Sequence, residues 1–224
     1  TLQVENWNQR TFETKDGDSR VVRSGDIMDP TGRCRLTAWC EFDPKPGDII
    51  RIDGGRVQSW QGSPDLVIDN LEQVKILTET PWEKIDPDNH WVDVDLDSLR
   101  KGGSRRGIST SGAIVAIMPG SGIIERCPEC RTILRDGSCP EHGPQRGEED
   151  LRLRFVLDNG VSNANLYMAR EATEAFLGMS MDDVKGEISS IGNDSFLSNL
   201  RNRVLSRKVV CLLYTSDAAD DLTR

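Results

Sequence analysis

The chain has 224 residues, 36% of them hydrophobic, with 37 acidic against 28 basic side chains and a formal charge of −9. That length holds one large or two small domains, and a mean hydropathy of −0.49 with no apolar run long enough to cross a bilayer argues against a helical membrane protein. A net negative chain also argues against attraction of nucleic acid by overall charge, so such a ligand would need positive side chains gathered on one face.

Over residues 1–80, short alternating runs are divided by the turn signals KDGD, DPTG, DPKPG, DGG and QGSP. The pattern predicts strands near Leu2–Thr14, Arg20–Met28, Gly32–Cys40, Asp48–Trp60 and Asp65–Asp69. Five strands in about 75 residues fit a small Greek-key barrel of the OB type. Residues 81–110 read as a linker with at most one short helix or turn. It is acidic first (Glu83, Asp86, Asp88, Asp93, Asp95, Asp97) and basic after (Arg100, Lys101, Arg105, Arg106). Trp82 and Trp91 could dock this linker onto a barrel, and the isolated His90 reads as a surface residue.

A second module is expected over 111–210. It opens with the strand GAIVAIM, is interrupted by an insertion at 126–143, and resumes with LRLRFVLD, an Asn159-Gly160 turn and VSNANLYM. Helices follow at Glu171–Leu177 and Phe196–Ser206, with a weaker signal at Met181–Ile191.

The insertion carries CPECRTILRDGSCPEH, a C-x2-C-x8-C-x2-H array. Three thiolates and one imidazole at Cys127, Cys130, Cys139 and His142 can close a tetrahedral shell around zinc. All four positions come from protein, which is the pattern of a structural site and not a hydrolytic one. A redox pair or a disulfide would leave the second Cys and the His unexplained. Cys34 and Cys40 lie too far apart along one predicted strand for a disulfide and are expected as core thiols.

Side chains alternate across a strand, so each predicted strand has a core face and an outer face. After Gly32 the outer set is Arg33, Arg35, Thr37 and Trp39, against Cys34, Leu36, Ala38 and Cys40 inside. After Gly160 the outer set is Val161, Asn163, Asn165 and Tyr167, against Ser162, Ala164, Leu166 and Met168. An aromatic stands outward seven residues after the glycine in both cases, which reads as a degenerate repeat of one barrel. Arg56, Gln58 and Trp60 share an outer face, with Val57 expected in the core. Arg152 and Arg154 point out between Leu151, Leu153, Phe155 and Leu157. Rings interleaved with guanidinium groups suit single-stranded nucleic acid, in which bases stack and phosphates meet Arg. No convincing catalytic constellation can be assembled, because His142 belongs to the array.

The order RTF…DG…D-x-TG-x-x-RLT-x-W, followed by SGAIVAIMPGSGIIERCPEC…DGSCPEHG, resembles archaeal replication protein A. The resemblance runs from residue 1 to about Val210. It implies two tandem OB barrels, a zinc finger inside the second, and single-stranded DNA as the ligand in replication, repair and recombination. It also implies a cytoplasmic, nucleoid-associated, non-catalytic protein with other replication and repair proteins as candidate partners. The residues themselves leave open an RNA or tRNA ligand, or an accessory module of a larger nucleic-acid enzyme. Thr1 suggests a start inside a longer reading frame. From Cys211 the text CLLYTSDAAD reads as translated sequencing adapter, which makes 211–224 a non-native tail and the second barrel incomplete.

Overall fold

The computed structural model describes residues 1–13, 17–60, 63–101 and 105–216. The chain divides into two units, Thr1–Thr110 with Val210–Arg224 and Ser111–Val209.

The first unit holds β1 (Leu2–Val4), β2 (Asn8–Glu13), β3 (Ser19–Asp29), β4 (Gly32–Ala38), β5 (Ile49–Ile52), β6 (Arg56–Trp60), β7 (Ser63–Ile68) and β8 (Val74–Leu77). Strand β3 runs antiparallel to β1, β2 and β4, and β4 runs parallel to β7. Strand β7 pairs with β6, and β5 pairs with β1, both antiparallel. Because β5 and β6 are halves of one strand bent at Asp53–Gly55, this path returns to its start. It is a closed five-stranded Greek-key barrel, the OB fold. Strand β8, which the periodicity did not reveal, lies antiparallel along β5.

The core is Val4, Ile27, Leu36, Ala38, Phe42, Ile50, Ile68 and Val74, with Cys34 and Cys40 packed against it. Burial pushes the Cys34 thiol up to about 11, so it stays protonated at neutral pH. The first strand breaks between Val4 and Asn8 because Trp7 turns inward. Its ring meets Phe42 edge-on at 5.6 Å, and its Nε1–H donates to the Phe42 carbonyl at 3.2 Å. There the Asn6 carbonyl crosses β3 so closely that a Cβ on Gly25 would lie 1.9 Å from it.

Val57, expected in the core, is instead 73% exposed. Beyond the bend β6 pairs with β7 alone among the described residues, and Arg56 on one face and Val57 and Ser59 on the other are all exposed. The segment after β8 is bonded to the barrel of this unit. The Gln3 side chain donates to the Ile85 carbonyl at 2.7 Å and accepts from the Ile85 N–H at 2.9 Å. Strand β9 (Val92–Asp93) pairs parallel with the first residues of β10 (Arg105–Ile117), and Leu96 of α1 (Leu96–Lys101) is buried.

Strand β10 crosses the division between the units. In the second unit it is followed by β11 (Gly122–Arg126), β12 (Ser138–Cys139), β13 (Gly143–Pro144), β14 (Glu148–Asp158) and β15 (Asn163–Met168). Then come α2 (Arg170–Leu177), α3 (Met181–Ile191) and α4 (Asn193–Val204), and the chain continues into β16 (Lys208–Ser216), whose residues from Val210 belong to the first unit. Strands β10 and β11 follow one another along β14, as β1 and β2 do along β3, and β15 flanks β14 on its other side. The meander of the first barrel is therefore repeated. Backbone bonds from Ser206 to Ile114 (2.8 Å) and from Ile114 to Arg207 (3.0 Å) bring the chain entering β16 beside β10, as β5 lies beside β1.

Leu151, Leu153, Phe155 and Leu157 are buried along β14, as the alternation predicts, together with Leu177, Val184, Phe196, Leu200 and Val204 of the helices. Helix α3 forms despite Gly186 because Ser180 and Asp183 cap its start reciprocally and Met181 and Val184 are buried. Of the tail, β16 carries the chain to Ser216, and residues 217–224 lie outside the described residues.

Candidate functional site

Two outer strand faces and one metal-ligating cluster stand out. On the first unit, Trp39, just beyond the end of β4, is 42% exposed and stands beside Phe12 of β2, 39% exposed. Next to them Thr37 is buried, because its hydroxyl donates to the carboxylate of Asp65 on the parallel strand β7 at 3.0 Å. The Gln58 amide also donates to Asp65, at 3.0 Å. Arg56 holds Asp69 at 3.1 Å and donates to the Gln58 side-chain oxygen at 3.0 Å. Arg35 donates to Ser24 Oγ at 2.8 Å. Arg35 on β4 lies across β7 from Arg56 and Gln58 on β6, and Trp39 follows the end of β4.

Arg33 shares the outward phase but is not on the open part of this face. Its side chain is only 10% exposed. It pairs with Glu5 at 2.9 Å, donates to the carbonyls of Pro87 and His90, and lies 5.9 Å from the centre of the Trp91 ring. The His90 ring in turn meets the Asp29 carbonyl at 3.0 Å. Trp60 ends β6, and its side chain lies outside the described residues, as do Gln61 and Gly62 of the QGSP turn.

On the second unit Tyr167 of β15 is 49% exposed and stands directly across from Arg154 of β14. Asn163 and Asn165 are exposed along the same strand. Arg152 donates to the Gly120 carbonyl at 2.6 Å. Burial, and after it the charge of Arg154, lowers the Arg152 pKa, a sign that positive charge is gathered here. The residue that sequence reasoning missed is Arg126. It ends β11 opposite Glu148, and its guanidinium donates to the Tyr167 hydroxyl at 2.8 Å. Alternation through GIIER from Gly122, which pairs with Arg152, could have placed Arg126 on this face.

In the insertion, Cys127, Cys130, Cys139 and His142 bring their ligand atoms within 4.8 Å of one another, a group that could hold a metal ion. His142 Nδ1 lies 3.6 Å from the sulfurs of Cys127 and Cys139, and Cys130 Sγ lies 3.5 Å from Cys139 Sγ. The backbone builds the two knuckles. Cys127 N–H donates to the Thr132 carbonyl at 2.8 Å, and Arg131, with φ of 63°, returns its N–H to the Cys127 carbonyl at 2.9 Å. The second knuckle sits on the β12–β13 pair, where Cys139 faces Gly143. Hydrogen bonds from Thr132 pull the Cys130 thiol down to about 6, which favours the ligating thiolate at neutral pH. Glu129 Oε2 stands 3.6 Å from His142 Nε2, the ring nitrogen turned away from the sulfurs. Such a carboxylate orients a ligating imidazole. The cluster packs against Leu134 in a small core of its own.

An OB barrel with rings and guanidinium groups on its outer strands, followed by a second meander interrupted by a Cys3His cluster, defines a class: OB-fold proteins with a Cys3His insertion. The chain is similar to Replication factor A of Methanothermobacter thermautotrophicus (strain Delta H), with 25% identity over 87% of this chain and 26% of the relative. It therefore spans about a quarter of that relative's length. Among solved structures it is similar to the OB domain of a Thermoplasma acidophilum protein, at 24% identity and a TM-score of 0.32, covering 37% of this chain and 77% of that one. It is also similar to a replication protein A heterotrimer bound to single-stranded DNA, at 9% identity and a TM-score of 0.39, covering 96% of this chain and 64% of that one. No family model matches the chain.

Proposed function

We propose that this chain binds single-stranded DNA on the outer strand faces of its two units and carries a structural zinc ion in the insertion. The observation that carries the reading is the placement of exposed rings among guanidinium groups at equivalent positions: Trp39 with Phe12, Arg35 and Arg56, and Tyr167 with Arg152 and Arg154. Rings of that kind accept bases of any sequence, and the arginines meet the phosphates between them. The likeness to Replication factor A supports a place in DNA replication, and with it repair and recombination, alongside other proteins of those processes.

Zinc is the metal that the donor set favours. Bonds of about 2.3 Å to sulfur and 2.0–2.1 Å to nitrogen put tetrahedral S···N edges at about 3.6 Å and S···S edges at about 3.8 Å. The separations of 3.6 Å and 3.5 Å lie close to those edges. Cys127, Cys130, Cys139 and His142 would then hold the ion, which supplies folding free energy to the insertion and no reactive water. Both histidines of the chain have structural partners, His142 in the cluster and His90 on a backbone carbonyl, which fits a binding role and not a catalytic one.

Fluorescence anisotropy with matched labelled DNA and RNA single strands tests the reading. Tighter binding of the DNA strand is expected. Preference for the RNA strand would redirect the proposal, and no binding of either at low salt would overturn it.

A further inference from the structure

We infer that Arg126 is the positioning residue of the second unit, holding the Tyr167 ring in the pose that a stacked base needs. The inference rests on the proposed binding of single strands. One guanidinium here serves three separate parts of the fold. Its Nε donates to Asp150 of β14 at 2.5 Å, one terminal nitrogen donates to the Arg131 carbonyl at 3.0 Å, and the other donates to the Tyr167 hydroxyl at 2.8 Å. The guanidinium is a planar, rigid fork, so three engaged arms fix its plane as well as its place.

An exposed tyrosine is ordinarily free to change rotamer, and a base that stacks on it must freeze that motion. At Tyr167 the bond to Arg126 fixes the far end of the ring before any ligand arrives. The base then meets a preorganised surface. The Arg131 carbonyl that steadies Arg126 lies in the first knuckle, tied back to Cys127 by its own N–H. The insertion thus reaches the stacking ring through one side chain.

The same geometry separates Arg126 from the arginines that meet phosphate. Its charge already faces the Asp150 carboxylate, and both side chains are largely buried, at 16% and 13% exposure. Among the described residues the Arg154 side chain, opposite Tyr167, reaches the Pro119 carbonyl alone, at 3.5 Å, and can turn to a ligand. Arg126 acts through Tyr167, and Arg154 acts on the nucleic acid.

The test measures anisotropy of a labelled oligodeoxythymidine with Tyr167→Phe, Arg126→Gln, their double variant and Tyr167→Ala, at several salt concentrations. Tyr167→Phe keeps the ring and removes only the partly exposed hydroxyl, so its folding is not at risk. It is expected to weaken binding by about 3- to 10-fold, the worth of one ordinary hydrogen bond. Arg126→Gln should weaken binding to a similar degree, the double variant no further, and the log–log salt slope should stay unchanged. Wild-type affinity in Tyr167→Phe beside weakened Tyr167→Ala would overturn the positioning role and leave the stacking role standing. Wild-type affinity in Tyr167→Ala would overturn the stacking role itself. A slope made shallower by about 0.7 in Arg126→Gln would make Arg126 a phosphate contact instead.

Discussion

The rings of Phe12 and Trp39 meet edge to face with their centroids 6.2 Å apart and their planes at 70°. Phe12 lies on β2 and Trp39 just beyond the end of β4, so the pair reaches across β3, which joins both strands. An edge-to-face pair contributes about 0.5–1.5 kcal/mol beyond its buried area and holds the indole upright with solvent on its open side. Trp39→Ala is expected to weaken binding of a single strand by roughly 1–3 kcal/mol. The urea midpoint of the first unit should change little, because Leu36 and Ala38 make that strand's core contacts. Phe12→Ala should have a smaller effect in the same direction. Collapse of the first unit in Trp39→Ala, with affinity per folded molecule unchanged, would assign the ring to the core.

Gly25 provides a test of the barrel itself. The Asn6 carbonyl fills the place of its missing side chain, with the Trp7 ring 2.8 Å from where a Cβ would sit. Backbone cannot yield as a flexible side chain does. Gly25→Ala is expected to destabilise the first unit by about 3 kcal/mol, the upper range for an overpacked core. Equilibrium unfolding followed by Trp fluorescence would measure it. An unchanged midpoint would contradict the close crossing.

The longer strands were legible where alternation survives with one face buried, as along β14, where Leu151 to Leu157 alternate with Arg152, Arg154 and Val156. The closure of the barrel was not legible. It depends on the parallel pair β4–β7 and the pair β1–β5, and pairing partners leave no local trace in a sequence. Val57 was misplaced for a related reason, since alternation cannot tell where a strand leaves the barrel. Arg33 has the outward phase but is covered by residues more than fifty positions away, the carbonyls of Pro87 and His90. Arg126 was hidden by the insertion that follows it, which obscured the strand it ends. The Cys3His cluster was fully legible, because its spacing is local and each ligand lies within one knuckle.

Metal content gives an independent check. One zinc ion per chain is expected in protein purified without chelators. Ligands must be deprotonated to bind, so zinc affinity should fall as the pH is lowered. Chelation or Cys139→Ser should remove amide-exchange protection at Cys127, whose N–H bonds to the Thr132 carbonyl within the knuckle, and at Leu134, whose N–H bonds to the Glu125 carbonyl of β11. Protection across β3 and β4 should persist, since that pairing belongs to the other unit. Metal analysis that finds no zinc, or a fully protected knuckle after chelation, would remove the metal from the account.

Salt dependence should distinguish the arginines that meet phosphate from Arg33, whose side chain the fold covers. Arg35, Arg56, Arg152 and Arg154 are the candidates, and at about −0.7 per contact on a single strand they predict a log–log slope of about −3. Arg33→Ala should leave that slope unchanged and instead destabilise the first unit by about 1–3 kcal/mol, because its hydrogen-bonded partners lose their donor. The pH dependence adds a second signature. Burial raises the Glu5 carboxyl above its ordinary value, against the opposing pull of Arg33. Without Arg33 the carboxyl rises further. For a carboxyl raised on folding, the penalty is present above the folded pKa and relieved as protons bind. The deficit of Arg33→Ala should therefore be largest near neutrality and shrink as the pH falls through the raised Glu5 value. Denaturant midpoints at several pH values, beside binding measured at several salt concentrations, would read both. A shallower salt slope in Arg33→Ala, with stability unchanged at every pH, would return Arg33 to the binding face.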